Sequence, residues 1–143
     1  MKVIVLYGHS DCGKTKTLKE LIHLISKFDK DGKIRYNIDG GDIQQVMSYN
    51  GVIVCVCTAG DSSDIIEKNF DYANENHADI LVTASRTKGA TCDKVIEMAN
   101  RCPTTPEWYK KSDETYLPDK LQNTCNQEYA KFLLNRINEI INN

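Results

Sequence analysis

The stretch Lys2-Val3-Ile4-Val5-Leu6-Tyr7-Gly8-His9-Ser10-Asp11-Cys12-Gly13-Lys14-Thr15 governs the reading of this chain. Val3 to Leu6 are a continuous apolar run, the pattern of a strand buried on both faces. Residues 8–15 match G-x-x-x-x-G-K-[ST], and Leu18, Leu21, Ile22, Ile25 and Phe28 then recur at helical spacing. Strand, glycine loop and helix stand in the order that a phosphate-binding loop requires. In such a loop the glycines permit backbone angles that wrap N–H groups around a phosphate, the lysine reaches the outer phosphates, and the hydroxyl completes a magnesium shell. The expectation is a nucleoside triphosphate held by Gly8, His9, Ser10, Asp11, Cys12, Gly13, Lys14, Thr15 and Lys16. His9 and Asp11 occupy variable loop positions whose side chains face solvent.

Composition bounds the alternatives. A chain of 143 residues, 41% hydrophobic and 27% charged, fits one domain over residues 1–143 with its own core. A formal charge of −2 lacks the basic excess that nucleic acid or an anionic membrane demands, so neither is an expected partner. The N-terminal apolar run is too short for a signal peptide or membrane span, which leaves a cytoplasmic location as the expectation. Six cysteines without a Cys-x-x-Cys pair read as reduced thiols, with Cys55 and Cys57 on one face of one strand. Cys12 lies among loop N–H groups and next to Lys14, which favour a thiolate; the competing reading is a small residue with its sulfur turned away.

Beyond the first helix, 33–38 is a short strand candidate. The runs 43–49 and 52–57 flank Asn50-Gly51, the strongest short hairpin signal, so an antiparallel pair is expected inside an otherwise parallel α/β sheet, with 52–56 as its buried central member. Residues 62–76 read as a helix with Asp64 and Glu67 as a capping pair, 79–84 as a buried strand, 91–100 as a helix and 107–110 as an edge strand. The last helix starts at Pro118-Asp119, with Gln122 three residues past the cap. Its apolar stripe, Leu121, Cys125, Tyr129, Phe132, Leu133, Ile137 and Ile140, reads as core packing.

On residues 2–28 the chain resembles the P-loop NTPase superfamily; the member family is not identified. The resemblance implies a three-layer α/β sandwich with a mostly parallel sheet and one antiparallel hairpin strand. It also implies Mg2+ and ATP as cofactors, with Lys14 on phosphate and Thr15 on the metal. ATP is preferred to GTP because the Asn-Lys-x-Asp segment of P-loop GTPases is absent: Thr87-Lys88-Gly89-Ala90 lacks its aspartate. The chemistry implied is slow ATP hydrolysis or phosphoryl transfer, with a small-molecule kinase or a non-catalytic nucleotide sensor as alternatives.

Ligands of open α/β sheets sit beyond the carboxyl ends of the strands, which singles out three segments. In Thr58-Ala59-Gly60-Asp61 the strand-end carboxylate usual in the superfamily is missing, and Asp61 is the metal candidate, against a plain turn residue. In 85–91, Arg86 is the candidate for stabilising transferring phosphoryl charge, ahead of Lys88 for an acceptor's anion, and together with Lys14 it makes up the expected catalytic set. In 38–43, Asp39 and Asp42 are loosely similar to the Asp-Gly-Asp segment of adenylylsulfate kinases. They would bind magnesium or orient the hydroxyl of a small-molecule acceptor; Asp-Gly more often marks a turn. Trp108 and Tyr109, followed by Lys110 and Lys111, read as packing rather than a base-stacking platform.

Overall fold

The computed structural model describes residues 1–28 and 41–143; the strand candidate at 33–38, Asp39 and Gly40 lie outside them. The elements are β1 (Lys2–Tyr7), α1 (Lys14–Ser26), β2 (Gln44–Tyr49), β3 (Val52–Cys57), α2 (Ser63–Glu75), β4 (Ile80–Ser85), α3 (Ala90–Arg101), β5 (Glu107–Lys110) and α4 (Asp119–Ile141). Five strands form one sheet in the order β2-β3-β4-β1-β5. β1, β3, β4 and β5 run parallel and β2 pairs antiparallel with β3, so the chain is α/β with a mostly parallel sheet and one antiparallel pair.

Alternation along the strands builds a core on each face. Ile4, Leu6, Val54, Val56 and Val82 meet Leu18, Leu21, Ile22 and Ile25 of α1 and Ala130, Leu133 and Ile137 of α4. Val3, Val5, Cys55, Cys57 and Leu81 meet Ile66, Phe70 and Ala73 of α2 and Val95 and Met98 of α3. Strands covered on both sides carry apolar residues at successive positions, as Val3 to Leu6 do. The middle of the sheet is β4, buried along its whole length, rather than β3. The chain leaves β1 for α1 on one face and leaves the adjacent β4 for α3 on the other. The two connections leave neighbouring strands toward opposite faces, and in open α/β sheets such a point is where ligands are received.

Local details differ from expectation at three points. α2 is capped by Ser62, whose Oγ accepts from the Ile65 N–H at 3.3 Å, not by Asp64 and Glu67; an extended Ser reaches the free N–H groups better than a residue already inside the helix. The buried row of α4 is Asn126, Ala130, Leu133 and Ile137, while Leu121 and Phe132 are about half exposed at 50% and 48%. Phe132 packs edge-on against Tyr109 and Tyr129, at ring separations of 5.3 and 5.6 Å. The third point is Lys111, which follows the aromatic pair Trp108-Tyr109 and departs from what a lysine usually does: it is buried and ion-paired with Glu114 at 2.8 Å. The hairpin is as expected: Asn50 and Gly51 have φ of 49° and 83°, the positive pair of a type I′ turn, and fix the register Tyr49↔Val52 through Gln44↔Cys57. Among the described residues no helix is long and apolar enough to cross a membrane.

Candidate functional site

The loop between β1 and α1 owes its shape to two glycines acting in different ways. Gly13 caps α1 with φ of 97°, a left-handed conformation that other residues adopt at a cost. A Cβ there would also stand 2.7 Å from Asn126 Oδ1. Gly8 needs no unusual angle. Its role is close approach, since a Cβ would lie 2.7 Å from the Lys111 carbonyl oxygen and 2.8 Å from Cys12 Sγ. Asp11 adds a second left-handed residue at φ of 62°. α4 supports the loop through Asn126, whose Oδ1 accepts from Thr17 Oγ1 at 3.2 Å.

Lys14 is the first residue of α1 and is 7% exposed. Its ammonium donates to the carbonyls of Gly8 and His9, the latter at 3.1 Å, and so bridges the loop's own backbone. Among the described residues no carboxylate lies within ion-pair distance of it. Burial therefore pushes its pKa down, partly offset by the nearby Cys12 and Asp61. Thr15, one residue on, has its Oγ1 3.0 Å from Asp42 Oδ1 and 3.4 Å from the Thr58 carbonyl oxygen. Thr58, the residue after β3, is buried and donates from its own hydroxyl to the same Asp42 oxygen at 3.1 Å.

Ser10, Asp11, Cys12, Gly13, Lys14, Thr15, Lys16 and Asp61 all border one cleft of about 310 Å³, joined by Thr58, Gly60, Glu114, Gln122 and Asn126. Gly8 and His9 do not line it, and His9 is exposed. Asp61 meets Arg86, whose Nε donates to the Asp61 carbonyl at 3.3 Å and lies 3.9 Å from its carboxylate. Both side chains are about half exposed, at 55% and 48%, so this ion pair is weak and leaves the guanidinium free to swing. Lys88 is exposed in the same loop. Trp108 packs edge-on to Tyr7 at 6.1 Å and the Tyr109 hydroxyl donates to Glu107 at 2.7 Å, which accounts for both aromatics as packing.

Of the two readings of Cys12, the thiolate is the one that the surroundings do not favour. Cys12 is 5% exposed, and burial raises its thiol pKa above the usual 9.0 despite the attraction of Lys14 and Lys111. Desolvation outweighs the two cations. Cys55 and Cys57 do share a face, with sulfurs 3.7 Å apart, and are fully buried.

Of the described carboxylates that the sequence offers for magnesium, Asp42 is the one that meets Thr15, and Asp61 meets Arg86. Asn126 lies outside the site residues expected from the sequence, although a polar residue inside the apolar row of α4 is the signal that marks it. Thr58, expected only to stand where the superfamily usually has an acid, is hydrogen-bonded to both Asp42 and Ile43. Among the described residues no group of three or more His, Cys, Asp or Glu gathers in metal-binding range. No family profile, no curated protein and no solved structure matches the chain.

Proposed function

We propose that this chain is a member of the P-loop NTPase superfamily that binds Mg2+-ATP between the 8–15 loop and the strand ends near 58–61 and 85–91. Lys14 carries the reading. A buried ammonium that meets backbone carbonyls but no carboxylate among the described residues is costly, and a phosphate group at the loop would supply a counter-charge. The turn of α1 that follows brings further N–H groups and the positive end of the helix dipole.

The chemistry that fits this set is slow hydrolysis or phosphoryl transfer. Such reactions need positioning and charge neutralisation more than covalent participation. The chain's own contributions would be the loop N–H groups, Lys14, and Arg86 where negative charge develops. Magnesium, when bound, would neutralise phosphate charge. The Thr15 hydroxyl, surrounded by oxygen atoms of Asp42 and Thr58, suits a hard cation of that kind. Thr58 standing in place of a strand-end acid favours slow turnover. The absence of an Asn-Lys-x-Asp segment favours ATP over GTP, and the cysteine pattern of the sequence favours the cytoplasm.

Calorimetric titration with ATP and magnesium tests this directly. Lys14→Ala is expected to weaken binding roughly tenfold to a hundredfold, the range for hydrogen bonds to charged groups, while the variant melts as a folded protein. Unchanged affinity in folded Lys14→Ala overturns the proposal. Product analysis then separates the activities: free phosphate indicates a hydrolase, a phosphorylated metabolite indicates a small-molecule kinase, and binding without either indicates a sensor.

A further inference from the structure

From the arrangement at the end of β3 we infer that Asp42, delivered by the antiparallel strand, is the carboxylate of the magnesium shell at Thr15, in the place of the acid that the superfamily usually carries at the end of the neighbouring parallel strand. The inference rests on the nucleotide-binding reading and deepens it.

Direction and register explain how Asp42 arrives there. β2 runs opposite to β3, so the residues that precede β2 lie beside the residues that follow β3. The ladder continues one pair beyond Gln44↔Cys57: the Thr58 N–H donates to the Ile43 carbonyl at 2.9 Å, and the Ile43 N–H donates to Thr58 Oγ1 at 2.9 Å. With Ile43 pinned opposite Thr58, Asp42 stands at the carboxyl end of the sheet, 27 residues along the chain from Thr15 and 3.0 Å from its hydroxyl.

The proton arrangement suits a cation. Thr58 Oγ1 accepts from the Ile43 N–H and gives its own proton to Asp42 Oδ1, which fixes that carboxylate oxygen. Thr15 Oγ1 points its single proton at the same oxygen, so its lone pairs remain available for a metal ion. Magnesium is commonly held by one or two carboxylates together with substrate phosphates and retained waters, and a threonine, an aspartate and a triphosphate supply that set. Asp61, which lines the cleft, instead faces Arg86 in a loose, exposed pair and makes no hydrogen bond to Thr15. Thr58 is a positioning residue here. It replaces the usual acid at the strand end and holds the acid that comes from the adjacent strand.

The test uses the whole chain with Mn2+ and ATP, reading bound Mn2+ by electron paramagnetic resonance and ATP affinity by calorimetry with and without magnesium. Asp42→Asn keeps the shape of an exposed side chain, so the fold is expected to survive. It should reduce Mn2+ affinity of the ATP complex about tenfold to a hundredfold, as loss of a ligand-shell partner does, while ATP affinity without metal is retained. Thr58→Val should lose part of the Mn2+ affinity and Thr58→Ser should restore it. Full Mn2+ affinity in Asp42→Asn, or a loss that appears in Asp61→Asn instead, overturns the inference while metal-free ATP binding keeps the nucleotide reading intact. Failure of the parent protein to bind ATP under either condition sinks both together.

Discussion

Gly60 lies flat against the backbone of Ala84. A Cβ at position 60 would overlap the Ala84 carbonyl and stand 2.7 Å from the Ser85 nitrogen. The contact joins the loop after β3 to the end of β4, and so brings Thr58 and Asp61 alongside Ser85 and Arg86. Nothing in the local sequence forces it; it follows from β3 and β4 being parallel neighbours.

Gly60→Ala is therefore expected to destabilise the protein by about 1–3 kcal/mol, the usual cost of overpacking against atoms that cannot move aside. The atoms in the way are backbone, not the flexible end of a side chain. Urea unfolding followed by circular dichroism measures it. An unchanged midpoint would mean that the 58–61 loop shifts freely and that the Asp61–Arg86 pairing is not held by this contact.

On the proposed function, Arg86→Ala should lower turnover more than ATP affinity. Its guanidinium is half exposed and only loosely held by Asp61, so it has little to lose in the ground state and can move toward charge that develops during transfer. Steady-state kinetics beside calorimetry separate the two effects. Equal turnover in variant and parent would leave Arg86 a surface cation, and a loss confined to binding would make it a ground-state clamp.

Alkylation should discriminate sharply among the six free cysteines. Cys12 is buried with a raised thiol pKa, Cys55 and Cys57 are fully buried, and burial together with Glu114 raises Cys125. Brief iodoacetamide exposure at neutral pH is expected to label the half-buried Cys92 and Cys102 first, with Cys12 reacting slowly and faster as pH rises. Mass spectrometry in which Cys12 leads would show that Lys14 and Lys111 overcome its desolvation after all.

A bidentate pair links the edge strand to the last helix. Arg136 Nε and Nη2 donate to the two carboxylate oxygens of Glu107 at 2.7 and 2.9 Å. The Arg136 hydrogen bonds hold the Glu107 carboxyl below the usual glutamate value of 4.5. A folded pKa depressed in this way stabilises the protein above the unfolded value, and the contribution is lost as pH falls through the folded one. Glu107→Gln should melt lower than the parent at neutral pH, with the gap narrowing as acid is added below about 4.5. A gap that stays constant between neutral and acidic pH would show that the pair contributes nothing through ionisation.

Much of the fold is legible along the chain because it depends on local geometry. Strand and helix periods are set by backbone dihedrals, so Val3 to Leu6, Ile80 to Ala84 and the apolar spacing of α1 announce themselves within a few residues. Asn50-Gly51 specifies its hairpin for the same reason: only such residues adopt two consecutive positive φ angles cheaply. The phosphate-loop motif is equally local, since its residues are bound to one another by chain connectivity.

The face of α4 was less legible. Cys125 and Asn126 are neighbours, and hydrophobicity points to the cysteine, yet it is Asn126 that the core receives, because Thr17 gives it a hydrogen bond and Gly13 leaves it room. A buried polar group is accepted where a partner exists, and the partner lies on another helix. The cleft obeys the same rule. By itself the sequence determined the elements, the hairpin and the loop that carries Lys14 and Thr15. Only the tertiary structure decided which carboxylate meets Thr15, since that depends on the β3-β4-β1 order and the register of β2, both set by burial and pairing over the whole sheet and not by any stretch of neighbouring residues.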